Sequence, residues 1–272
     1  MTDVNAEAEL DARLKARRID SARGPLGALA LVNTQWVDSE QPIWGVPGTW
    51  APLPEGQSGL IVRATAADGV EVDGTLVDGV AIVAGPEAIA PSTVVFDDHT
   101  RGTVVRSESG GYGLRVWDSQ SEGIARFGGI DSFPYDPAWV ITGRFTPLAE
   151  GTTVAFEHVA GDDERLKPIP GEIGFDHDGG SYTVVAFPEG SRLQLVFADA
   201  TNGDSTYSVG RFLFVAPDEH GEVVLDFNRA VLPPCAFSYN FNCPIPPAQN
   251  RFPFPVTAGE KNVLDASGGL LH

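Results

Sequence analysis

Turn residues divide most of this sequence into short segments, and this punctuation restricts the fold more than any other feature. The chain has 31 glycines and 21 prolines, which separate β-prone runs instead of forming repeats. Three Asp-Gly pairs, at 68–69, 73–74 and 78–79, are hairpin signals. The runs predict strands near 60–66, 80–84, 93–96, 103–107, 112–118, 123–127, 139–145, 152–159, 181–187, 192–198, 210–216 and 222–227. Because no helical segment separates the late runs, the pattern favours a mainly β fold, an antiparallel sandwich or barrel.

Helical periodicity occurs once, near the amino end. Ala6, Leu10 and Leu14 recur at a spacing of four, which predicts a helix over 4–20 with these side chains on one face. Gly24-Pro25 ends it. We therefore predict an amino-terminal helix within 1–24 and a single β-rich domain over 25–265. Residues 160–171, which combine charges with two prolines, predict a mobile loop.

The formal net charge of −19 limits the choice of partners. Such a surface repels phosphate backbones, so we expect no nucleic acid and no membrane as a partner. The amino end has no apolar signal-peptide region, which leads us to expect a soluble, cytoplasmic protein. The sequence does not indicate an oligomeric state.

Generic catalytic signatures do not occur. The chain has no G-x-S-x-G elbow, P-loop or G-x-G-x-x-G turn. The segments "DDH" at 97–99 and "DHD" at 176–178 suggest a hard-cation site with His99 or His177, but Asp and His are as common in solvated turns. We favour the turns and predict no cofactor and no metal.

The only two cysteines lie in "PPCAFSYNFNCPIPP", residues 233–247. Cys235 and Cys243 are eight residues apart, which is not the spacing of a zinc site. We expect two thiols packed in a loop braced by prolines, with a disulfide as the alternative. Phe237, Tyr239 and Phe241 alternate, which predicts an extended flap with its aromatic rings on one side.

Polar residues gather immediately before this loop. Asp226, Asn228 and Arg229 follow the apolar run 223–225. Two interpretations compete. The charges pair internally and hold an irregular loop in place, or they converge on a ligand.

Several consecutive blocks carry a family resemblance. These are "DATNGDSTYSVGRFLFV" (199–215), "LDFNRAVLPPCAFSYNFNCPIPPAQNRFPFPV" (225–256) and "AGEK" (258–261). Together they resemble a bacterial family catalogued as domain of unknown function 1684, and 127–145 is similar to it as well. The family implies no activity. Its shared polar positions correspond here to Arg211, Asp226, Asn228, Arg229, Cys235, Cys243, Asn250, Glu260 and Lys261.

That resemblance favours a ligand site. We predict a small-molecule partner in a pocket formed by residues 207–261, with Asp226 or Glu260 as acid or base of a hydrolase or lyase. Arg211 and Arg229 are predicted anion anchors. The predicted ligand-binding residues are Tyr207, Arg211, Asn228, Arg229, Asn250 and Lys261. The alternative is a non-catalytic binding or structural module whose charged motif is an internal brace.

Overall fold

The computed structural model describes residues 4–107, 109–159 and 165–271. These residues group into two compact units, one comprising 20–126 and the other 4–19 with 127–271. We call them the first and the second unit. Because a compact unit need not fold alone, the predicted division into a helix within 1–24 and one domain over 25–265 stays a prediction.

The amino-terminal helix forms as predicted, but a different face packs. Helix α1 spans Val4–Arg23 and is followed by Gly24. Ala6 and Leu14 are exposed, so the predicted apolar face is wrong. The packed face instead carries charged side chains at 7, 11, 15 and 18, of which Asp11 is buried and forms an ion pair with Lys15 at 2.7 Å. The cause is local pairing, since Asp11 has its cation one turn away.

The first unit consists of two antiparallel sheets. Its strands are β1 Leu31–Trp36, β2 Gln41–Pro42, β3 Thr49–Pro52, β4 Gly59–Ala64, β5 Glu71–Val72, β6 Thr75–Leu76, β7 Gly79–Ala84, β8 Val94–Val95, β9 Thr100–Arg106 and β10 Tyr112–Asp118. One sheet has the order β1-β10-β9-β8-β5-β6 and the other β2-β3-β4-β7. Trp50 and Leu60 of one sheet share a buried core with Leu114 and Val116 of the other.

The Asp-Gly prediction holds at one of its three positions. Asp73 and Gly74 join β5 to β6, and both have positive φ angles, 51° and 76°. A two-residue turn of this kind matches the twist of a hairpin. Gly69 instead caps a 3-10 turn over Ala66–Asp68, and Gly79 begins β7.

The second unit is also built of antiparallel pairs. It contains β11 Phe127–Ser132, β12 Val140–Pro147, β13 Thr153–Phe156, β14 Arg165–Pro168, β15 Gly171–His177, β16 Gly180–Val185, β17 Phe187–Glu189, β18 Arg192–Phe197, β19 Arg211–Val215, β20 Glu222–Asp226 and β21 Glu260–Asp265. Sheets β16-β15-β12-β20 and β17-β18-β19 face one core, to which they contribute Ile173, Phe175, Leu195 and Leu213. Strands β11-β21 and β13-β14 form two further pairs. The mainly β, antiparallel, sandwich-like fold class is therefore confirmed.

Two local predictions are wrong. Residues Glu122–Arg126 form a short helix, α2, instead of a strand, because the Ser121 hydroxyl accepts the N–H of Ile124 at 3.2 Å and caps the turn. In the predicted loop 160–171, residues 160–164 lie outside the described residues. Residues 165–168 are β14, which pairs with β13, and Gly171 begins β15.

Candidate functional site

Arg211 begins β19 and is completely buried. Its guanidinium donates to the Asp199 carboxylate and to the Val256 carbonyl, each at 2.8 Å, and also to the carbonyls of Ala258 and Glu260. Burial lowers the pKa of Arg211, and the charge of Asp199 opposes that shift. This is the geometry of an internal brace. The anion-anchor role predicted for Arg211 stays a prediction.

Asn250 makes a second internal link, in the 3-10 turn Ala248–Asn250. It is completely buried. Its Oδ1 accepts the N–H of Val185 at 2.9 Å, and its Nδ2 donates to the carbonyls of Val185 and Val196 at 2.8 Å. The side chain joins the end of β16 to β18, and it lines neither of the two cavities described below.

The "DFNR" segment forms a capped turn. Asp226 ends β20, and its carboxylate accepts the N–H of Asn228 at 3.2 Å and the Nε of Arg229 at 2.8 Å. Asn228 is buried and exchanges two hydrogen bonds of 2.9 Å with the backbone of Asp136. Arg229 also lies 3.4 Å from Glu7 of α1. The turn therefore presents Arg229 outward while Asn228 fixes its base.

Glu260 begins β21 and is buried. Its carboxylate accepts the N–H of Leu232 at 2.7 Å and the Nε of Arg18 at 3.3 Å. Burial raises the pKa of Glu260, an effect that the charge of Arg18 opposes. A carboxyl group in this setting holds its proton to a higher pH than an exposed glutamate does.

The side chains of Lys261 and Tyr207 make unrelated contacts. Lys261 Nζ forms an ion pair with Asp131 at 2.7 Å. Tyr207 packs in a buried cluster with Cys235 and Cys243, and this burial raises the pKa of its phenol. Neither Tyr207 nor Lys261 lines the cavities described below.

Both cysteines are buried thiols. The N–H of Cys235 donates to Cys243 Sγ at 3.2 Å, and the side-chain hydrogen bond with Cys243 lowers the pKa of the Cys235 thiol. The predicted extended flap is wrong in part. Pro234–Ala236 form a 3-10 turn, so Phe237 is buried while Tyr239 is 76% exposed.

Two cavities of the second unit meet at Arg229. The basic cavity has a volume of about 480 Å³ and is lined by helix α1, Arg192, Phe214, residues 228–231 and Glu260. The acidic cavity, of about 740 Å³, is lined by four carboxylates and Arg229. Phe214 lines both. Of the predicted site residues, Asn228, Arg229 and Glu260 meet in the basic cavity, and Asp226 lies in the acidic one.

The basic cavity concentrates positive charge. Five cationic side chains face two carboxylates, Asp11 and Glu260, an excess of three positive charges in a chain of net charge −19. The cations are Lys15, Arg17, Arg18, Arg192 and Arg229. Sequence reasoning missed the first four. For Lys15 and Arg18 a signal was present in α1, where charged residues rather than apolar ones follow the helical period at 7, 11, 15 and 18. No local pattern indicated Arg17 or Arg192.

The residues of the suggested cation sites have other contacts. The Asp97 carboxylate accepts the N–H groups of His99 and Thr100, each at 2.7 Å. The His177 ring stacks on Trp139 at a centroid distance of 4.9 Å and packs at a tilt against Phe254 at 4.6 Å. Within residues 4–107, 109–159 and 165–271, no three His, Cys, Asp or Glu side chains gather to hold a metal ion. None of the described helices is both long and apolar enough to cross a membrane.

Comparison with known proteins agrees with the resemblance read from the sequence. No curated protein matches the chain. The solution NMR structure of an uncharacterized protein from Haloarcula marismortui is 33% identical, over 50% of this chain and 77% of that one, with a TM-score of 0.41. The family described as "Protein of unknown function (DUF1684)" matches residues 125–261, half of the chain, including every predicted site residue. The chain belongs to this family of unknown function.

Proposed function

We propose that the protein binds a small molecule in the basic cavity. Its volume of about 480 Å³ is within the usual range for ligand pockets, about 300–1,000 Å³. The lining combines apolar side chains, among them Leu14, Phe214 and Val231, with a few converging polar groups, which is typical of such sites. The observation that carries the proposal is the meeting of three family positions, Asn228, Arg229 and Glu260, with the charged face of α1 around this one space.

Some residues of the charged motif fit the interpretation as an internal brace, and others fit the interpretation as a ligand site. Arg211 and Asn250 have contacts typical of an internal brace, as described above. Arg229 and Glu260 line a cavity and are placed to meet a ligand. A hydrolase or lyase role in this cavity would use Glu260 as the acid or base, since Asp226 lines the acidic cavity instead. The cytoplasmic location, the bacterial origin and the absence of nucleic-acid and membrane partners stay predictions.

A thermal-shift screen against a metabolite library tests the proposal. A ligand present at a hundredfold its Kd adds about 2.7 kcal/mol to the free energy of unfolding, which is a measurable rise in Tm. Leu14→Trp places a large ring into the cavity, because Leu14 lines it. Arg13→Trp is the matched control, since Arg13 is an exposed neighbour on the same helix and does not line the cavity.

We expect at least one compound to raise the Tm of the wild type and of Arg13→Trp but not of Leu14→Trp. A screen without any such compound would contradict the proposal. So would a ligand whose effect persists unchanged in Leu14→Trp, since it binds elsewhere.

A further inference from the structure

We infer that the ligand of the basic cavity is a small organic anion, a carboxylate or phosphate group on an apolar body, held by Arg17 and Arg192. This inference rests on the proposed function and adds the chemical class of the ligand to it. It is carried by the pairing of the cavity cations, by their geometry and by the apolar part of the wall.

Three of the five cations already have carboxylate partners. Lys15 pairs with Asp11 at 2.7 Å, Arg18 with Glu260 at 3.3 Å, and Arg229 with Asp226 at 2.8 Å. These contacts neutralise three of the five cations of the cavity.

Among the described residues, Arg17 and Arg192 have no such partner. Within the part of the chain that the structure describes, neither forms an ion pair, although the chain carries 37 acidic residues. Both are exposed, and they come from two different elements, α1 and the start of β18. Of the three excess charges in the cavity lining, Arg229 is neutralised by Asp226, which lies outside the lining, so the other two belong to guanidinium groups whose donors are available to a ligand.

A guanidinium group selects the kind of anion it binds. Its planar fork of N–H donors matches the two oxygens of a carboxylate or phosphate and forms paired hydrogen bonds with them. A compact lysine ammonium lacks that geometry. Since both unpaired cations are arginines, the cavity matches oxyanions better than it matches halide-like point charges.

The wall next to Arg192 is apolar. The Arg192 guanidinium lies 5.0 Å from the centroid of the Phe214 ring, which is half-buried. Leu14, Ala230 and Val231 line the same cavity. A bare inorganic anion leaves this surface in water, whereas a ligand with a hydrocarbon or aromatic body buries it and gains about 25 cal/mol per Å².

The charge outside the cavity restricts the size of the ligand. With a net charge of −19, the surrounding surface repels an extended polyanion such as nucleic acid. A small anion needs only the local positive region. The charge distribution therefore favours a metabolite-sized anion over a macromolecule.

Titration calorimetry with four probes tests this class. Benzoate and phenyl phosphate carry an anionic group on an aromatic body, benzamide is the neutral counterpart of benzoate, and inorganic phosphate has no apolar body. The test variant is the double substitution Arg17→Ala and Arg192→Ala. The control, Arg13→Ala with Arg144→Ala, removes the same total charge from exposed arginines that do not line the cavity.

We expect benzoate or phenyl phosphate to bind the wild type and the control alike, and more tightly than benzamide and inorganic phosphate. The double variant should lose about tenfold or more in affinity, because a hydrogen bond to a charged group contributes about that factor. Comparison of the two aromatic anions then shows whether the cavity prefers carboxylate or phosphate.

Three results would overturn the inference: benzamide binding as tightly as benzoate, unchanged affinity in the double variant, or no binding of either aromatic anion by the wild type. None of these results contradicts the proposal that the basic cavity binds a small molecule. That proposal is contradicted separately if the library screen finds no ligand whose effect Leu14→Trp abolishes.

Discussion

Arginines of the second unit satisfy their guanidinium charge in two opposite ways, one with partners inside the protein and the other with solvent. Arg211 is completely buried and donates to the Asp199 carboxylate and to three backbone carbonyls. Arg17 and Arg192 are exposed at the rim of the basic cavity and have no carboxylate partner among the described residues. The residue type is the same, but Arg211 has four protein groups as hydrogen-bond acceptors, whereas the other two have no carboxylate partner among the described residues.

This difference separates structural from binding roles. A buried charge costs several kcal/mol unless the protein supplies its partners, so Arg211 is tied to its own chain. An exposed guanidinium carries no such requirement because water solvates it. Its donors are then available to a ligand, and the family position of an arginine does not by itself indicate which role it has.

The largest effect should come from removing the buried arginine. Arg211→Met leaves Asp199 buried without its cation, and breaking a buried pair in this way costs about 3 to 5 kcal/mol. We expect urea unfolding, followed by circular dichroism, to show a loss of this size. Arg144→Met, at an exposed arginine, is the control. A loss below about 1 kcal/mol would place Arg211 among the solvated arginines and remove the contrast.

Asn250 should give the next largest effect. Asn250→Ala leaves the N–H and C=O of Val185 and the C=O of Val196 without their side-chain partner, and a buried unsatisfied group costs about 1 to 3 kcal/mol. We expect a total loss of about 3 kcal/mol, the lower end of the sum for three such groups, because the surrounding chain can relax and recover part of the cost. The exposed neighbour Gln249→Ala should change little. Equal effects of both substitutions would exclude a brace at Asn250.

The local pattern of the sequence predicted much of the fold. Alternating β-prone runs between turn residues predicted most strands, and Asp73-Gly74 predicted its hairpin because only a few residues adopt positive φ at low cost. The prediction failed at Glu122–Arg126, where a single serine cap outweighed the pattern. It also missed other strands, among them β1, β3 and β11. It missed β15 and β21 because Gly171–His177 and Glu260–Asp265 contain polar residues on their half-buried faces.

The site was less predictable because its contacts join distant parts of the chain. Arg18 and Glu260 are 242 residues apart, and Arg229 reaches Glu7 across 222. No local spacing indicates such pairs. The resemblance identified Glu260 and Arg229, but helix α1 lies outside the matched residues 125–261, so only the folded chain shows that its cations face Glu260 and Arg229.

Glu260 combines features of both kinds of residue, because it is buried as Arg211 is and also lines the basic cavity. The pH dependence of the free energy of unfolding should show how strongly burial affects it. Burial raises its pKa, so the folded state holds this proton more strongly than the unfolded chain does. Stability from this group is therefore fully present below the ordinary glutamate pKa of about 4.3 and is lost as pH rises through the higher folded value. Glu260→Gln does not titrate and can still accept the Leu232 N–H.

We therefore expect the wild type to lose stability relative to Glu260→Gln as pH rises from about 4 to 8. Urea unfolding of both proteins at each pH measures the difference between their free energies of unfolding. Because all other titrating groups are the same in the two proteins, their contributions cancel in this difference. If the stability of the wild type instead rises relative to that of the variant with rising pH, the ion pair with Arg18 outweighs burial.

The smallest effect on the free energy of unfolding is expected at the exposed arginines of the cavity. These variants test whether the exposed arginines, unlike Arg211, contribute little to stability. Arg17→Ala and Arg192→Ala remove no ion pair of the described chain, and both side chains are exposed, so Arg17→Ala should change the free energy of unfolding by less than about 0.5 kcal/mol and Arg192→Ala by no more than about 1 kcal/mol. Arg192→Ala loses its contact with Phe214, which at an exposed site contributes about 0.5 to 1 kcal/mol at most. Urea unfolding at low salt is the measurement, because screening is weakest there. A loss of several kcal/mol in either variant would mean that the rim arginines hold the fold as Arg211 does, and their charge would then need no ligand to explain it.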